Sequence, residues 1–161
     1  MKRKAYGRKK ILSFNANELQ QYEPNRYPFL FIDRVTECVP GEYAKGYKNL
    51  TNNEWFFPKH YVGHSIMPAA VQTEALSQMI TIAFTTLPGF NNIDVEGASW
   101  SAKFHREICP GDRLDIEAFV KSYNRGVGKG YAKGYVDGKL ACEVEVTLVI
   151  PCIFNQYRPK L

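Results

Sequence analysis

The strongest constraint on the fold is an apolar helix pattern that covers residues 67 to 86. Pro68 suits the first turn of a helix, and Pro88 with Gly89 provides a stop signal. Apolar residues cover most of the surface of this predicted helix: Ala70, Val71, Ala75, Leu76, Met79, Ile80, Ala83 and Phe84. Such a helix is stable in water only when other elements surround it. It would span roughly 30 Å, the width of a small domain.

The second half of the chain supplies strands that can surround this helix. Four strands are predicted, at residues 95–105, 113–123, 127–136 and 140–150. Turn signals separate them, and Asp137-Gly138 is a strong signal for a two-residue hairpin. In the last strand, apolar residues alternate with Glu143, Glu145 and Thr147, so one face packs and the other meets water.

The first half predicts two more strands and two short helices. A short helix is expected at residues 15–21, a strand at 27–35, and a half-exposed strand at 42–50. Thr51 and Glu54 have the spacing of a capping box, which predicts a short helix ending at Pro58. The fold class is therefore α+β, with an antiparallel β-sheet wrapped around one long central helix. We expect one domain at residues 15–155, after a basic tail at residues 1–14.

The charge of the chain is concentrated in this tail. The net charge is +5, yet six of the 21 basic residues precede residue 11, and without them the chain is close to neutral. This pattern argues against a nucleic-acid-binding face and leaves the tail as either a solubilising arm or an aid in docking an acidic partner. The four cysteines lack metal-site spacing, and no signal-peptide core or membrane span is present, so we expect free thiols and a cytoplasmic location.

Two residues point to proton transfer. His60 lies in a loop rich in Gly and Pro, and Glu74 follows fourteen positions later on the apolar helix. A histidine is well suited to accept a proton near neutral pH, and a poorly solvated carboxyl tends to stay protonated, as a general acid must. Two simpler interpretations remain open. Glu74 with Gln78 and Thr81 would form a solvent-exposed stripe, and His60 would be a hydrogen-bonded structural histidine.

Four ordered segments resemble a known family, the 3-hydroxyacyl-(acyl-carrier-protein) dehydratases of the FabZ type. The segments are RYPFLFIDRV, NEWFFPKHYVGHSIMPAAVQTEALSQ, KFHREICPGDRLDIE and GKGYAKGYVDGKLACEVE. The resemblance implies the hotdog fold and a cofactor-independent hydro-lyase of fatty acid biosynthesis, which converts a 3-hydroxyacyl chain on acyl carrier protein to the trans-2-enoyl thioester. It also implies a homodimer with its active sites at the interface, or a trimer of such dimers. The loop histidine and the helix carboxylate of the family fall on His60 and Glu74.

The chain departs from the family pattern beside both residues. The family usually has Gly-His-Phe-Pro-Gly and Met-Pro-Gly-Val-Leu, whereas this chain has KHYVG at 59–63 and MPAAV at 67–71. These changes keep the acid and the base but alter the loop and the pocket wall. For the thioester oxygen, we hypothesise that the Ala69 N–H binds it, helped by the Gly63 N–H. Alanine is acceptable at 69 if its φ is negative. Gln78 is a candidate supporting residue.

Other candidates carry weaker signals. His60 and His64 are four residues apart, but no third ligand is evident, so no metal is expected. Arg106 and Lys103 either contact the acidic carrier or form an ordinary solvated face. Five aromatic residues either line an acyl tunnel or belong to the core: Phe56, Phe57, Tyr61, Trp100 and Phe104. Two alternative functions remain, a specialised dehydratase of polyketide or polyene assembly and a non-catalytic acyl-binding hotdog protein.

Overall fold

The computed structural model describes residues 10–90 and 92–159, which form a seven-stranded antiparallel sheet around one long helix. Most of the predicted basic tail therefore lies outside the described residues. The strands are β1 (Leu12–Phe14), β2 (Arg34–Val39), β3 (Tyr43–Asn49), β4 (Glu96–Phe104), β5 (Arg113–Asn124), β6 (Val127–Val136) and β7 (Lys139–Val149). The α-helices are α1 (Ala16–Leu19), α2 (Ala69–Thr85) and α3 (Pro151–Phe154), and 3-10 turns occupy Phe57–Lys59 and Asn155–Tyr157. The strand order is β1-β2-β3-β5-β6-β7-β4.

Helix α2 is the centre of the core, as its apolar pattern predicts. All of its residues from 75 to 85 are buried, and strands β3, β5, β6 and β7 pack against it. Glycines in β6 allow a close approach between sheet and helix, since a Cβ at Gly130 would lie 2.5 Å from Ile80 Cγ2. The helix starts at Ala69, two residues after the predicted start of the pattern at residue 67, because Pro68 is its N-cap rather than a helical residue.

The predicted meander of the second half is confirmed, with strand ends within about one residue of their expected positions. Asp137 and Gly138, which join β6 to β7, both have positive φ, at 49° and 72°. Two positive φ values define the type I′ turn, whose twist matches that of the adjoining strands. Burial alternates along β7 as the sequence pattern requires, with Val144, Val146 and Leu148 buried.

The prediction of a strand at residues 27–35 is wrong for most of its length, because β2 begins only at Arg34. The preceding backbone is bound by a side chain rather than by a neighbouring strand. The Gln78 side chain accepts a hydrogen bond from Phe31 N at 2.9 Å and donates one to Phe29 O at 2.7 Å. This aromatic segment is therefore attached to α2 and does not extend the sheet.

The predicted capping box at Thr51 and Glu54 is also wrong. These residues form a turn, in which Glu54 N donates to Thr51 O at 3.2 Å. The Glu54 carboxylate accepts a hydrogen bond from Lys48 Nζ at 2.6 Å, and the Lys48 side chain is only 8% exposed. A charge buried this deeply needs a partner, so the ion pair takes precedence over helix capping. The short helix that follows is a 3-10 turn that contains Pro58 rather than ending at it.

Two features at the ends of the chain had no sequence prediction. Strand β1 lies within the range assigned to the tail and pairs with β2 at the edge of the sheet. Helix α3 follows β7 directly and starts at Pro151. The predicted short helix near residue 15 is confirmed as α1, with Asn15 as its N-cap. Among the helices in the described ranges, none is long and apolar enough to cross a bilayer.

Candidate active site

His60 lies in a loop that is fastened to the core on both sides. Phe56 and Phe57, just before it, are each 2% exposed. After it, Met67 N donates to Ile108 O at 2.8 Å, which joins the loop's end to the segment between β4 and β5. The sequence folds in this way because its aromatic pair and Met67 are apolar, whereas the residues between them are mostly exposed. The loop therefore presents the half-buried His60 ring from a rigid base.

The hydrogen bond of His60 fixes its tautomer. Its Nδ1 lies 2.9 Å from Ile66 O. A carbonyl oxygen only accepts hydrogen bonds, so Nδ1 carries the proton, and in the neutral ring Nε2 holds a free lone pair. This is the form that a general base requires. A purely structural role for His60 would explain the hydrogen bond of Nδ1 but would leave Nε2 free for proton transfer.

His60 lines a cavity of about 390 Å³ that also reaches the start of α2. Ala69 and Gln72 form its helix wall, and Phe104 and Arg106 contribute from the end of β4 and the residues beyond it. Tyr61, whose ring centroid is 4.3 Å from that of His60, closes another side. The cavity therefore combines the His60 imidazole, apolar side chains and charged groups of both signs, Arg106 and Glu107.

Ala69, the predicted backbone donor, lines this cavity. It is the first residue of α2, where backbone N–H groups have no carbonyl partner within the helix. Ala69 is not among the residues with positive φ, so an alanine fits this position without strain. Gly63, by contrast, has a φ of 80°, lies in the exposed part of the loop and does not line the cavity. The structure thus brings Ala69, but not Gly63, to His60.

Glu74 lies on a different side of α2 from the His60 cavity. Gln72 lines this cavity, and a residue two positions later points about 200° further around a helix. Glu74 does not line the cavity within one protomer. It is half-buried, and its Oε1 accepts a hydrogen bond from Gln78 Nε2 at 2.9 Å. Gln78 thus contacts the Glu74 carboxylate directly, while its supporting role stays a prediction.

The interpretation of Glu74, Gln78 and Thr81 as a solvent-exposed stripe is wrong. Gln78 is 2% exposed and Thr81 is 8% exposed. Polar residues on this side of the helix are covered by other parts of the chain, and Glu74 is the half-buried member that remains partly accessible. A buried amide hydrogen-bonded to a partly accessible carboxylate is an arrangement that positions the carboxylate.

A second carboxyl group, which the sequence did not indicate, lies near Glu74. Glu23 is only 1% exposed, and its Oε1 accepts hydrogen bonds from the backbone and side-chain nitrogens of Asn25, at 2.9 and 2.7 Å. Burial raises the pKa of Glu23, the Asn25 hydrogen bonds oppose this effect, and the negative charge of Glu74 raises the pKa further. No sequence pattern marked this residue, because its burial arises from how residues 20–31 fold back.

Glu23→Gln is expected to make folding less dependent on pH. The folded-state pKa of Glu23 is raised above its ordinary value of 4.5, so its stabilising contribution is complete below that value and is lost as pH rises through the folded-state pKa. The difference in free energy of unfolding between Glu23→Gln and wild type should therefore shift in favour of the variant as pH rises from 4 to 8. Urea denaturation at a series of pH values measures it. Glu117→Gln, at a half-exposed carboxylate, is the control and should show a much smaller trend, whereas equal trends would contradict the prediction.

The remaining candidates are resolved by their contacts. His64 Nε2 lies 3.0 Å from Glu107 Oε2 and so has a different partner from His60. Within the described ranges, no cluster of three ligand-type residues that could hold a metal ion occurs. Phe56 and Phe57 belong to the core, whereas Tyr61 and Phe104 line the cavity. Trp100 is half-exposed, and its Nε1 donates to Ser77 Oγ at 3.1 Å.

Comparisons with known proteins find relatives over most of the chain. The family described as FabA-like domain matches residues 23–145. A curated 3-hydroxyacyl-(acyl-carrier-protein) dehydratase FabZ from Clostridium novyi (strain NT) is 39% identical over 140 residues, which cover 86% of this chain and 99% of the relative. The protein of the same name from Ligilactobacillus salivarius (strain UCC118) is 41% identical over 134 residues, covering 83% and 96%.

Solved structures support the fold alone. An uncharacterized protein from Pyrococcus horikoshii is similar with a TM-score of 0.64 at 12% identity, covering 81% of this chain and 91% of that one. A hypothetical thioesterase from Streptococcus pneumoniae TIGR4, solved with coenzyme A, gives a TM-score of 0.59 at 10% identity, covering 72% and 83%. The predicted fold, an antiparallel sheet wrapped around a central helix, is confirmed.

Proposed function

The chain belongs to the FabA-like family of hotdog proteins that includes the FabZ dehydratases, and from this premise we propose that it dehydrates 3-hydroxyacyl chains on acyl carrier protein. The product is the trans-2-enoyl thioester, and the enzyme is a hydro-lyase of fatty acid biosynthesis. The observation that best supports this proposal is the cavity in which the free Nε2 of His60 and the N–H of Ala69 occur together.

In the proposed reaction, His60 Nε2 takes the proton from C2 of the acyl chain. The electron pair of the C2–H bond forms the C2–C3 double bond by way of an enolate, whose oxygen is stabilised by the Ala69 N–H at the start of α2. The C3–O bond breaks, and the oxygen leaves as water after receiving a proton from Glu74. The predicted donor Gly63 would need to move toward the cavity to take part, so we assign this role to Ala69.

We assign the acid to the Glu74 of a second subunit, because Glu74 lies away from the His60 cavity within one protomer. Strand β4 is one of the two edge strands of the sheet, and all nine of its residues are exposed in the isolated protomer. They include Trp100, at 50%, and Phe104, at 46%, and Phe104 also lines the His60 cavity. An exposed edge with large apolar residues favours pairing with another strand. Two copies joined along β4 would form a homodimer with two interfacial sites, and a trimer of dimers remains a further prediction.

The dimer proposal predicts how proline affects the β4 edge. Successive N–H groups of an edge strand point in opposite directions, and proline has no N–H group. Of Ser101→Pro and Ala102→Pro, one therefore removes a hydrogen bond to β7. The other removes only an N–H group that points to the free edge, where a second subunit would pair. The wild type should sediment at twice 18.4 kDa, or at six times this mass when three dimers assemble. The free-edge variant should remain folded, sediment at the mass of one chain and lose dehydratase activity. A folded monomer that keeps full activity would contradict the shared site.

Carrier recognition is proposed at the mouth of the cavity. Arg106 lines this mouth, and Lys103, whose side chain is 73% exposed, lies on β4 close by in sequence. Lys103 is 3.7 Å from Glu143, a weak surface pair that an acidic carrier can replace. These positive charges would guide the carrier so that its acyl arm enters the His60 cavity. Four free thiols fit the proposed cytoplasmic location.

The function is tested by mixing the purified protein with 3-hydroxyacyl carrier proteins of several chain types and following enoyl formation, together with the reverse hydration. Turnover of linear chains supports the fatty acid role. Turnover restricted to branched or polyene chains would instead identify the specialised polyketide or polyene dehydratase. Tight acyl binding without turnover of any substrate would overturn the enzyme proposal in favour of a non-catalytic acyl-binding protein.

A further inference from the structure

Tyr61 has a backbone conformation that its residue type disfavours. Its φ is 55°, in the left-handed region where the Cβ of a bulky residue crowds the backbone. The other non-glycine residues with positive φ in the described ranges are Asn92, Arg125 and Asp137. Asparagine tolerates this region, and Arg125 and Asp137 each open a two-residue hairpin turn that requires it. Tyr61 belongs to neither class, so its conformation needs another reason.

The turn that follows Tyr61 does not supply this reason. His64 N donates to Tyr61 O at 3.1 Å, which closes a β-turn over residues 61–64. The dihedral angles of the two central residues define such a turn, and a type II turn requires a positive φ only at the third position. Gly63 holds the third position, with a φ of 80°. The turn therefore explains the glycine, whereas Tyr61 is its first residue, whose φ the turn leaves free.

The left-handed conformation places the Tyr61 ring beside His60. His60 is extended, with φ −120° and ψ 107°, and successive side chains of an extended chain point to opposite sides. Compared with an extended residue, the φ of Tyr61 rotates its Cβ by about half a turn around the N–Cα bond. The ring centroids of the two residues lie 4.3 Å apart, so both rings are on the same side of the chain. Backbone strain of this kind occurs at active sites where it orients a functional group.

We propose that Tyr61 is a positioning residue that keeps the His60 imidazole oriented for proton abstraction. This inference rests on the proposed function. The hydrogen bond from Nδ1 to Ile66 O holds one edge of the imidazole, but the ring can still tilt about that bond. The Tyr61 ring, with its centroid 4.3 Å away, blocks the tilt toward its own side. The hydrogen bond thus selects the nitrogen that accepts the proton, and Tyr61 fixes the direction of its lone pair.

Kinetics of three variants separate this role from that of a cavity wall, since Tyr61 also lines the cavity. Tyr61→Phe keeps the ring and should keep the kcat of enoyl formation. Tyr61→Asn removes the ring, while asparagine tolerates the left-handed backbone. Its kcat should fall about tenfold with little change in KM, because a misplaced base weakens the transition state rather than substrate binding. Val62→Asn places the same residue type at the next, fully exposed position and should keep wild-type kinetics.

The orientation of His60 is also measurable without turnover. The chain has three histidines, so protein labelled with ¹⁵N in histidine gives three sets of imidazole signals, and their comparison with His60→Ala identifies the set of His60. The nitrogen shifts report which ring nitrogen carries the proton. In the wild type and in Tyr61→Phe, the neutral His60 ring should be a single Nδ1–H tautomer. In Tyr61→Asn, the tilting ring should lose its hydrogen bond part of the time and exchange between both tautomers.

Four results would overturn the proposal. They are an unchanged kcat in Tyr61→Asn, a change confined to KM, a single tautomer that persists in Tyr61→Asn, and an equal loss of activity in Tyr61→Phe, which would assign the effect to the hydroxyl group. Tautomer exchange in Tyr61→Asn without turnover by the wild type would refute the dehydratase function alone. Wild-type turnover together with a fixed tautomer in Tyr61→Asn would refute the role of Tyr61 alone.

Thermal melting tests the strain itself. Tyr61 is 63% exposed, so its removal sacrifices little buried surface. Tyr61→Asn relieves the steric cost of the left-handed backbone and should melt at or above the wild-type temperature. A clear fall in melting temperature would show that the ring packs the loop instead of being held under strain, and this too would overturn the proposal.

Discussion

His60→Ala is expected to lower kcat/KM for dehydration by about 10³, within the range that general base catalysis contributes. The reason lies in the hydrogen bond from Nδ1 to Ile66 O, which leaves Nε2 as the free base in the cavity. Alanine has no group that can accept the C2 proton. The measurement is the initial rate of enoyl formation from a 3-hydroxyacyl carrier over a range of substrate concentrations. The fall should appear in kcat rather than only in KM, because the lost interaction belongs to the transition state.

His64→Ala is the matched control for this experiment. It removes an imidazole from the same loop, but one that is 60% exposed and paired with Glu107. Its activity should stay close to that of the wild type, since His64 does not line the His60 cavity and an exposed side-chain pair contributes little to stability. Both variants should melt near the wild-type temperature, because neither ring belongs to the core. If His60→Ala kept most of its activity, or if both variants lost it equally, His60 would not be the base.

The sequence predicted those parts of the fold that depend on local periodicity. Helix α2 and the four strands after it follow from the apolar pattern and from turn dipeptides such as Asp137-Gly138. The errors arose where distant side chains compete for local groups. The Gln78 side chain forms hydrogen bonds with the backbone at residues 29–31, which lie 47 to 49 positions earlier. Lys48 donates a hydrogen bond to the carboxylate of Glu54. Neither competition is visible in a local window.

In the candidate site too, features of local sequence were predictable, whereas features that depend on contacts between distant segments were not. The positions of His60 in a loop and of Ala69 at a helix start were predictable because both are features of short segments. Glu23 and Gln72 were missed because their importance comes from burial, and burial depends on packing between distant segments. An ordinary glutamate before a proline and a glutamine on a helix have no distinctive pattern. Only the folded chain shows that Glu23 is a buried carboxyl group and that the side-chain oxygen of Gln72 is an unpaired acceptor within the described ranges.

Mixing two inactive variants is expected to restore about a quarter of the wild-type activity. His60→Ala retains Glu74, and Glu74→Gln retains His60. If each site takes His60 from one subunit and Glu74 from the other, a mixed dimer has one intact site and one site that lacks both groups. Random pairing of equal amounts makes about half of all dimers mixed, and each carries one of its two sites in working order. The restored activity should therefore approach about 25%.

To make mixed dimers without relying on subunit exchange, the two variants are produced together with different affinity tags, and mixed dimers are isolated through both tags in turn. Purified mixed dimers should then have about half the wild-type activity per dimer, while each variant alone stays inactive. A site contained within one protomer gives a different result, because every chain would lack either the base or the acid. Isolated mixed dimers without activity would thus place His60 and Glu74 in the same subunit. That outcome conflicts with the roughly 200° that separates Gln72 from Glu74 around α2, and it would require the helix to present Glu74 to its own cavity.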